Sequence, residues 1–282
     1  MEKILIPAYA KINLCLDVLG KEKNGFHRID TVMAHVDLAD TIRLEKRDSG
    51  IVLETDCPNL PASADNLAWR AAELFFQETG KTGGTAIRIE KRIPICAGLG
   101  GGSADGAAVL NGLNRMYGNP LSGAELAALG AKLGSDVPYC LMRGPARGEG
   151  LGTELTPIGT RLRFPVVIVK PPAGVSTKEA YERLDRMNIA AHPDVPAAVR
   201  AYEQADLPAL AQNLGNVLEL PCTLPAVRAV KQKLREFGAR GALMSGSGSA
   251  VFGIFTNYSR AINVAREFSK NGYAGFAAMT LC

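Results

Sequence analysis

The chain has 282 residues, with 32 Lys and Arg against 28 Asp and Glu, for a formal net charge of +4. That length holds a substantial core in one large or two ordinary domains. The slight positive excess suits an anionic small molecule but is too weak for a nucleic-acid surface, and no apolar run is long enough to span a membrane.

The first segment alternates. Ile4, Ile6, Ala8, Ala10, Ile12, Leu14, Leu16 and Val18 share one parity, while Tyr9, Lys11, Asn13 and Asp17 fall on the other. This predicts a strand with one face in the core, and it puts Lys11 and Asn13 on the same face, roughly 6–7 Å apart along the strand. A charged turn at 21–24 precedes Gly25-Phe26-His27. By itself that segment reads best as a hairpin with one buried aromatic.

Asp65 or Asn66 caps a helix running to Gly80, and a strand follows at 85–92. A glycine-rich loop then leads into a helix from about Ala104 to Tyr117. Ser122 and Glu125 form a capping box for a helix that ends near Gly134. The Gly- and Pro-rich stretch 144–157 is expected to connect two domains, 1–157 and 158–282. Beyond it come a buried strand at 165–170, a second capping box at Ser176 and Glu179, and a helix through Tyr181. The last elements are a helix at 225–237, strands at 241–244 and 250–255, a helix at 260–270 and a strand at 273–281. With the helices between its first two strands collapsed, this half reads β-α-β-β-α-β, the ferredoxin-like order. The fold class is therefore α+β in two domains.

The six cysteines (Cys15, Cys57, Cys96, Cys140, Cys222 and Cys282) are scattered and form no Cys-x-x-Cys pair. They read as reduced thiols of a cytoplasmic protein, without a zinc site or disulfide framework. Pro7, Lys11 and Asn13 interrupt the N-terminal apolar stretch, so it does not read as a signal peptide.

Gly98-Leu99-Gly100-Gly101-Gly102-Ser103 carries the strongest chemical signal. A predicted strand enters this loop and a helix leaves it. Glycines let the backbone approach a phosphate, and a helix N-terminus offers unpaired N–H groups. The spacing excludes two familiar loops. A dinucleotide fingerprint needs a third glycine, where Ser103 or Asp105 stands. A Walker loop needs Gly-x-x-x-x-Gly-Lys-Ser/Thr, and Phe75 stands where its first glycine should be before Gly80-Lys81-Thr82. The bland alternative is a tight turn, which four glycines exceed.

Met244-Ser245-Gly246-Ser247-Gly248-Ser249-Ala250 is a second glycine-rich segment. It reads equally as a hairpin turn or as a second set of N–H and hydroxyl donors for an anion. Asp136 alone reads more readily as a helix cap than as a base, and Lys11 alone as a solvated strand residue. Phosphoryl transfer, however, wants a positioned base and cationic groups beside a phosphate loop.

Ala10-Lys11-Ile12-Asn13-Leu14, Gly25-Phe26-His27, Pro94 to Ala108, Gly134-Ser135-Asp136-Val137-Pro138 and 244–252 occur in one order along nearly the whole chain. Together they resemble the GHMP kinase superfamily, and within it the branch that phosphorylates 4-diphosphocytidyl-2-C-methyl-D-erythritol. The resemblance implies a nucleotide-binding α+β half, a ferredoxin-like half for the substrate, and a site in the cleft between them. It implies ATP with Mg²⁺, an acceptor at the C2 hydroxyl, and a place in the non-mevalonate route to isoprenoid precursors. It assigns the general base to Asp136 and its catalytic partner to Lys11. The ATP phosphates fall to Pro94, Ile95, Cys96, Ala97, Gly98, Leu99, Gly100, Gly101, Gly102, Ser103 and Ala104. Asn13 would contact the methylerythritol, Phe26 and His27 the cytosine, and Tyr181 the other face of that base. The sequence assigns no metal ligands and leaves monomer and homodimer open. Rival readings are a superfamily kinase of mevalonate, homoserine or a sugar, a nucleic-acid module, and a nucleotide-binding regulator without catalysis. Phe26-His27, the lack of clustered basic residues, and the pair Lys11 and Asp136 argue against them in turn.

Overall fold

The structure, a computed structural model, describes residues 2–23 and 25–282. Of the turn expected at 21–24, Asn24 lies outside the described residues. Compactness divides the chain into two units whose segments alternate along the sequence. The first holds the residues up to Ala10, Ala39–Ile95 and Gly100–Arg143; the second holds Lys11–Leu38, Cys96–Leu99 and Gly144–Cys282. This differs from a division into the consecutive blocks 1–157 and 158–282. The reason is the length of strands β1 (Lys3–Lys21) and β2 (His27–Arg47), each of which runs through both units.

In the first unit, strand β3 (Gly50–Thr55) lies parallel to β4 (Gly84–Glu90), and β4 lies antiparallel to the end of β2, from Thr41 opposite Glu90 to Arg47 opposite Gly84. Four helices complete it: α1 (Leu67–Thr79), α2 (Gly101–Met116), α3 (Gly123–Leu133) and α4 (Val137–Leu141). Asn66 caps α1 by accepting from Ala68 N at 2.9 Å, and Gly80 ends it at φ +61°. Ser122 and Glu125 form the expected reciprocal box on α3. Ile42, Leu44, Phe75, Ile87, Val109 and Leu110 fill the core between sheet and helices.

Two expectations are corrected here. Helix α2 starts at Gly101, three residues before Ala104, because Gly100 turns the chain at φ +69° and releases it directly into the helix. The alternation along β1 leaves one face to solvent only as far as Tyr9: residues 10–18 are buried on both faces, including Lys11, Asn13 and Asp17.

In the second unit, the stretch expected to be a connection folds as a hairpin of β5 (Ala146–Glu149) and β6 (Glu154–Pro157). Its glycines and prolines hid the strands; β5 pairs with β2 from Thr31 opposite Gly148 to Met33 opposite Ala146. Next come β7 (Pro165–Lys170), α5 (Thr177–Leu184), α6 (Val195–Glu203), α7 (Leu207–Gln212), the two-residue strand β8 (Gly215–Asn216) and a 3₁₀ turn at Val217–Glu219. The unit ends with α8 (Pro225–Glu236), β9 (Gly241–Met244), β10 (Val251–Ile254), α9 (Tyr258–Lys270) and β11 (Ala274–Met279). The sheet order β11-β7-β10-β9, all antiparallel, is the expected ferredoxin-like arrangement. The second capping box forms only half. Ser176 accepts from Glu179 N, but the Glu179 carboxylate turns to Arg183 at 3.3 Å. Among the described residues no helix is long and apolar enough to cross a membrane.

Candidate active site

In the second unit the site grows from β1. Lys11 and Asn13 are 4 % and 2 % exposed, so Lys11 is not the solvated strand residue that its type alone suggests. Lys11 Nζ donates to Asn13 Oδ1 at 2.7 Å. Asn13 Nδ2 donates to the Thr31 hydroxyl at 2.9 Å, and that hydroxyl donates to Cys15 O at 2.7 Å. A hydroxyl has one proton, so Thr31 is left only its acceptor for Asn13. This fixes the amide with its oxygen toward the ammonium.

The loop residues Cys96–Leu99 pack onto the same strand. Lys11 N donates to Leu99 O at 3.0 Å, and Ala250 N donates to Ala97 O at 3.1 Å. Ser245 bridges the two glycine-rich segments: its hydroxyl donates to Gly98 O at 2.9 Å and accepts from Asn13 N at 3.3 Å. Gly98 stands at φ +73°, and a Cβ there would lie 2.0 Å from Ser245 O, so only glycine fits. Cys96 also has positive φ, at +51°, an uncommon conformation for a side-chain-bearing residue.

The second glycine-rich segment is the turn between β9 and β10. Its hydroxyls are not offered outward. Ser245 is spent on Gly98 O, Ser249 on Ala173 O at 2.6 Å, and Ser247 pairs with Thr177 at 2.8 Å. Asn216 holds the same turn from below by donating to Met244 O and Gly246 O at 2.9 and 2.8 Å. The segment is thus a hairpin turn that braces the first loop, one of the two readings open from sequence.

The remaining loop residues, Pro94, Ile95 and Gly100 to Ala104, belong to the first unit. There a buried cluster that sequence reasoning missed ties the two ends of the loop. Asp40 accepts from Arg92 N at 2.5 Å, from Ile93 N at 2.8 Å and from Lys91 Nζ. Lys91 Nζ also donates to Asp105 Oδ2, in the first turns of α2, at 2.9 Å. Burial pushes the Asp105 carboxyl upward, only partly offset by the Lys91 charge. Lys91 is held above its ordinary value because the two carboxylates outweigh the effect of burial, which acts the other way. A lysine and an aspartate flanking the glycine-rich loop were the available signal.

Asp136 occupies the N-cap position of α4, half-buried, but its side chain accepts no cap hydrogen bond there. The capping role that its position suggests is not the one it fills.

Phe26, His27 and Tyr181 all lie in the second unit. Phe26 is 64 % exposed. The His27 ring stacks on Tyr181, with centroids 4.6 Å apart and planes at 28°. Two further residues, unforeseen from sequence, complete the group. His27 Nε2 meets Asp185 Oδ1 at 2.5 Å, and Lys21 Nζ donates to Asp185 Oδ2 at 2.6 Å. The Lys21 and then the His27 hydrogen bond hold the Asp185 carboxyl below its usual range.

No group of three or more His, Cys, Asp or Glu able to hold a metal ion occurs among the described residues. A Mg²⁺ ion that takes most of its oxygens from phosphates needs only one or two from a protein. Ser103, in the first turn of α2, offers such a hydroxyl.

The family described as "GHMP kinases N terminal domain" matches residues 66–144, and "GHMP kinases C terminal" matches residues 198–274. The 4-diphosphocytidyl-2-C-methyl-D-erythritol kinase of Alkaliphilus metalliredigens is 44% identical over 95% of this chain and 94% of its own length. The kinase of the same name from Acetivibrio thermocellus is 39% identical over 100% of both chains. A solved 4-(cytidine 5'-diphospho)-2C-methyl-D-erythritol kinase superposes with a TM-score of 0.85 at 34% identity, covering 99% of this chain and 100% of the other. Homoserine kinase from Cytophaga hutchinsonii, with a TM-score of 0.76 at 18% identity over 99% and 95%, shares the fold.

Proposed function

Since this chain belongs to the 4-diphosphocytidyl-2-C-methyl-D-erythritol kinases of the GHMP superfamily, we propose that it moves the γ-phosphoryl group of ATP onto the C2 hydroxyl of that cytidine-linked polyol. It is a small-molecule kinase of the non-mevalonate route to isoprenoid precursors. The observation that carries the reading furthest into chemistry is the buried array of Lys11, Asn13 and Gly98, joined through Ser245.

Asp136 accepts the C2 hydroxyl proton as that oxygen bonds to the γ-phosphorus. The bond from γ-phosphorus to the β–γ bridging oxygen breaks, and ADP leaves with that electron pair. Lys11 serves as the electrostatic partner of the reaction and orients the hydroxyl. Asn13 fixes the direction of the ammonium and contacts the methylerythritol. Residues 94–104 hold the ATP phosphates through backbone N–H groups and the N-terminus of α2, where negative charge is favoured. Mg²⁺ entering with ATP would be held by phosphate oxygens and the Ser103 hydroxyl, and supplies charge neutralisation. Phe26 and His27 meet the cytosine, with Tyr181 completing the aromatic set. The scattered free thiols support a cytoplasmic location.

A coupled ADP-release assay tests this with 4-diphosphocytidyl-2-C-methyl-D-erythritol, mevalonate, homoserine and a hexose as acceptors. ATP-dependent turnover of the first alone is expected. Turnover only of an acceptor without cytidine would remove the reading.

A further inference from the structure

Tyr181 and Asp185 stand four residues apart at the end of α5, where that spacing places two side chains on one face of a helical turn. Both engage the same imidazole. Tyr181 covers a face of the His27 ring at 4.6 Å, and Asp185 takes its Nε2 edge at 2.5 Å. The His27 side chain is only 10% exposed, and Lys21 occupies the second oxygen of Asp185. The ring is thus clamped by face and by edge, and a flip of the ring would break the edge contact.

We propose that Asp185 is the positioning residue that fixes the tautomer of His27 and thereby the choice of cytosine over uracil. The proposal rests on the reading above that His27 meets the base of a nucleoside diphosphate. An ionised carboxylate only accepts hydrogen bonds, so the proton of a neutral imidazole must sit on Nε2. Nδ1 then carries the lone pair. An acceptor suits the exocyclic amine of cytosine, which donates, and opposes the O4 of uracil, which also accepts. Lys21 adds a charge-assisted bond that keeps Asp185 ionised and in place. Without Asp185 the ring is free to carry its proton on Nδ1, where it would favour the wrong base.

Steady-state kinetics of Asp185→Ala, Asp185→Asn and Asp185→Glu, with the cytidine substrate and its uridine counterpart, test this. The Ala and Asn variants should raise KM for the cytidine substrate about tenfold or more, while kcat and KM for ATP stay within about threefold. The preference for cytidine over uridine in kcat/KM should fall by about tenfold, and Glu should restore part of it. Nitrogen NMR of the imidazole supplies a readout independent of turnover, with protonated Nε2 in the parent chain and mixed tautomers in Asp185→Asn. An unchanged base preference and an unchanged tautomer would overturn the assignment. So would equal losses toward ATP and both acceptors, the mark of a merely structural residue. If the unsubstituted chain ignores the cytidine substrate, the kinase reading falls first and this inference with it.

Discussion

Lys11 Nζ donates to Asn13 Oδ1 over 2.7 Å, and both side chains are buried on one strand. An amide oxygen carries no net charge, so it directs a buried ammonium without itself neutralising it. The direction depends on Thr31, which holds the far end of the amide.

Thr31→Val tests that dependence. Losing the hydroxyl leaves Asn13 Nδ2 and Cys15 O short of a partner inside the protein, at a cost of about 1–3 kcal/mol. We expect a lower Tm and a fall in kcat that exceeds any change in KM for ATP. A variant with lowered Tm and unaltered kcat would confine Thr31 to a structural role.

Asp136→Asn should lower kcat by roughly 10²–10⁴-fold with ATP binding largely kept. Lys11→Ala should likewise damage kcat more than ATP affinity. Nucleotide titrations alongside turnover separate the effects, and near-normal kcat in Asp136→Asn removes it as the base.

Two loop glycines should behave oppositely. Gly98→Ala drives a Cβ to 2.0 Å from Ser245 O at φ +73°, so about 2 kcal/mol or more of stability should be lost. At Gly102 the nearest atom to an added Cβ is Leu67 Cδ1, at an ordinary 3.6 Å. Gly102→Ala should keep or slightly raise Tm, since alanine is the better helix former by about 1 kcal/mol. A raised KM for ATP in this folded variant would therefore report phosphate contact alone. Thermal melts and ATP kinetics on the pair check both halves.

The Lys91 cluster predicts a stability effect. Lys91→Met leaves Asp40 and Asp105 buried without their shared cation and should cost about 3–5 kcal/mol. Denaturant titration measures it, and a cost below about 1 kcal/mol would show that the carboxylates find other partners.

His35 gives the pH dependence a sign. Burial lowers its pKa from 6.5 to about 4, against a weaker opposing effect of its hydrogen bond with Gly144 O. Between those values the unfolded chain binds the proton and the native state does not, so stability falls as pH drops from about 6.5 to 4. The full contribution is about 3 kcal/mol. His35→Gln should flatten that part of the stability–pH curve, and an unchanged slope would count against it.

Much of this was legible because local rules agree with the fold. Asn66, Gly80, Ser122 and Glu125 act at helix ends as their chemistry dictates, and the strands of the ferredoxin-like half fall where apolar runs put them. The long strand β2 carried no such signal. From Asp30 to Val36 it is buried on both faces, and Asp30, Thr31 and His35 interrupt any alternation. Lys11 misled for the same reason, since a lysine is read as solvated until its amide partner is visible. Asp185 and Lys21 were hidden because their meaning lies in a histidine roughly 160 and 6 positions away, although the spacing of Tyr181 and Asp185 marked one helix face. The bracing serines of the second glycine-rich turn were readable as hydroxyls but not as hydroxyls already spent.

Strands β1 and β2, which run through both units, impose an order on synthesis. The first unit is complete in sequence once Arg143 has been made. Leu16 and Val18 belong to a core that also needs Val167, Met244 and Val251. At about 5–20 residues per second, Leu16 waits roughly 8–30 s for Val167 alone. For that interval a nascent chain carries half-strands with no core to enter, next to a unit free to fold. Their apolar faces are then open to chaperones, or to other copies emerging from the same polysome.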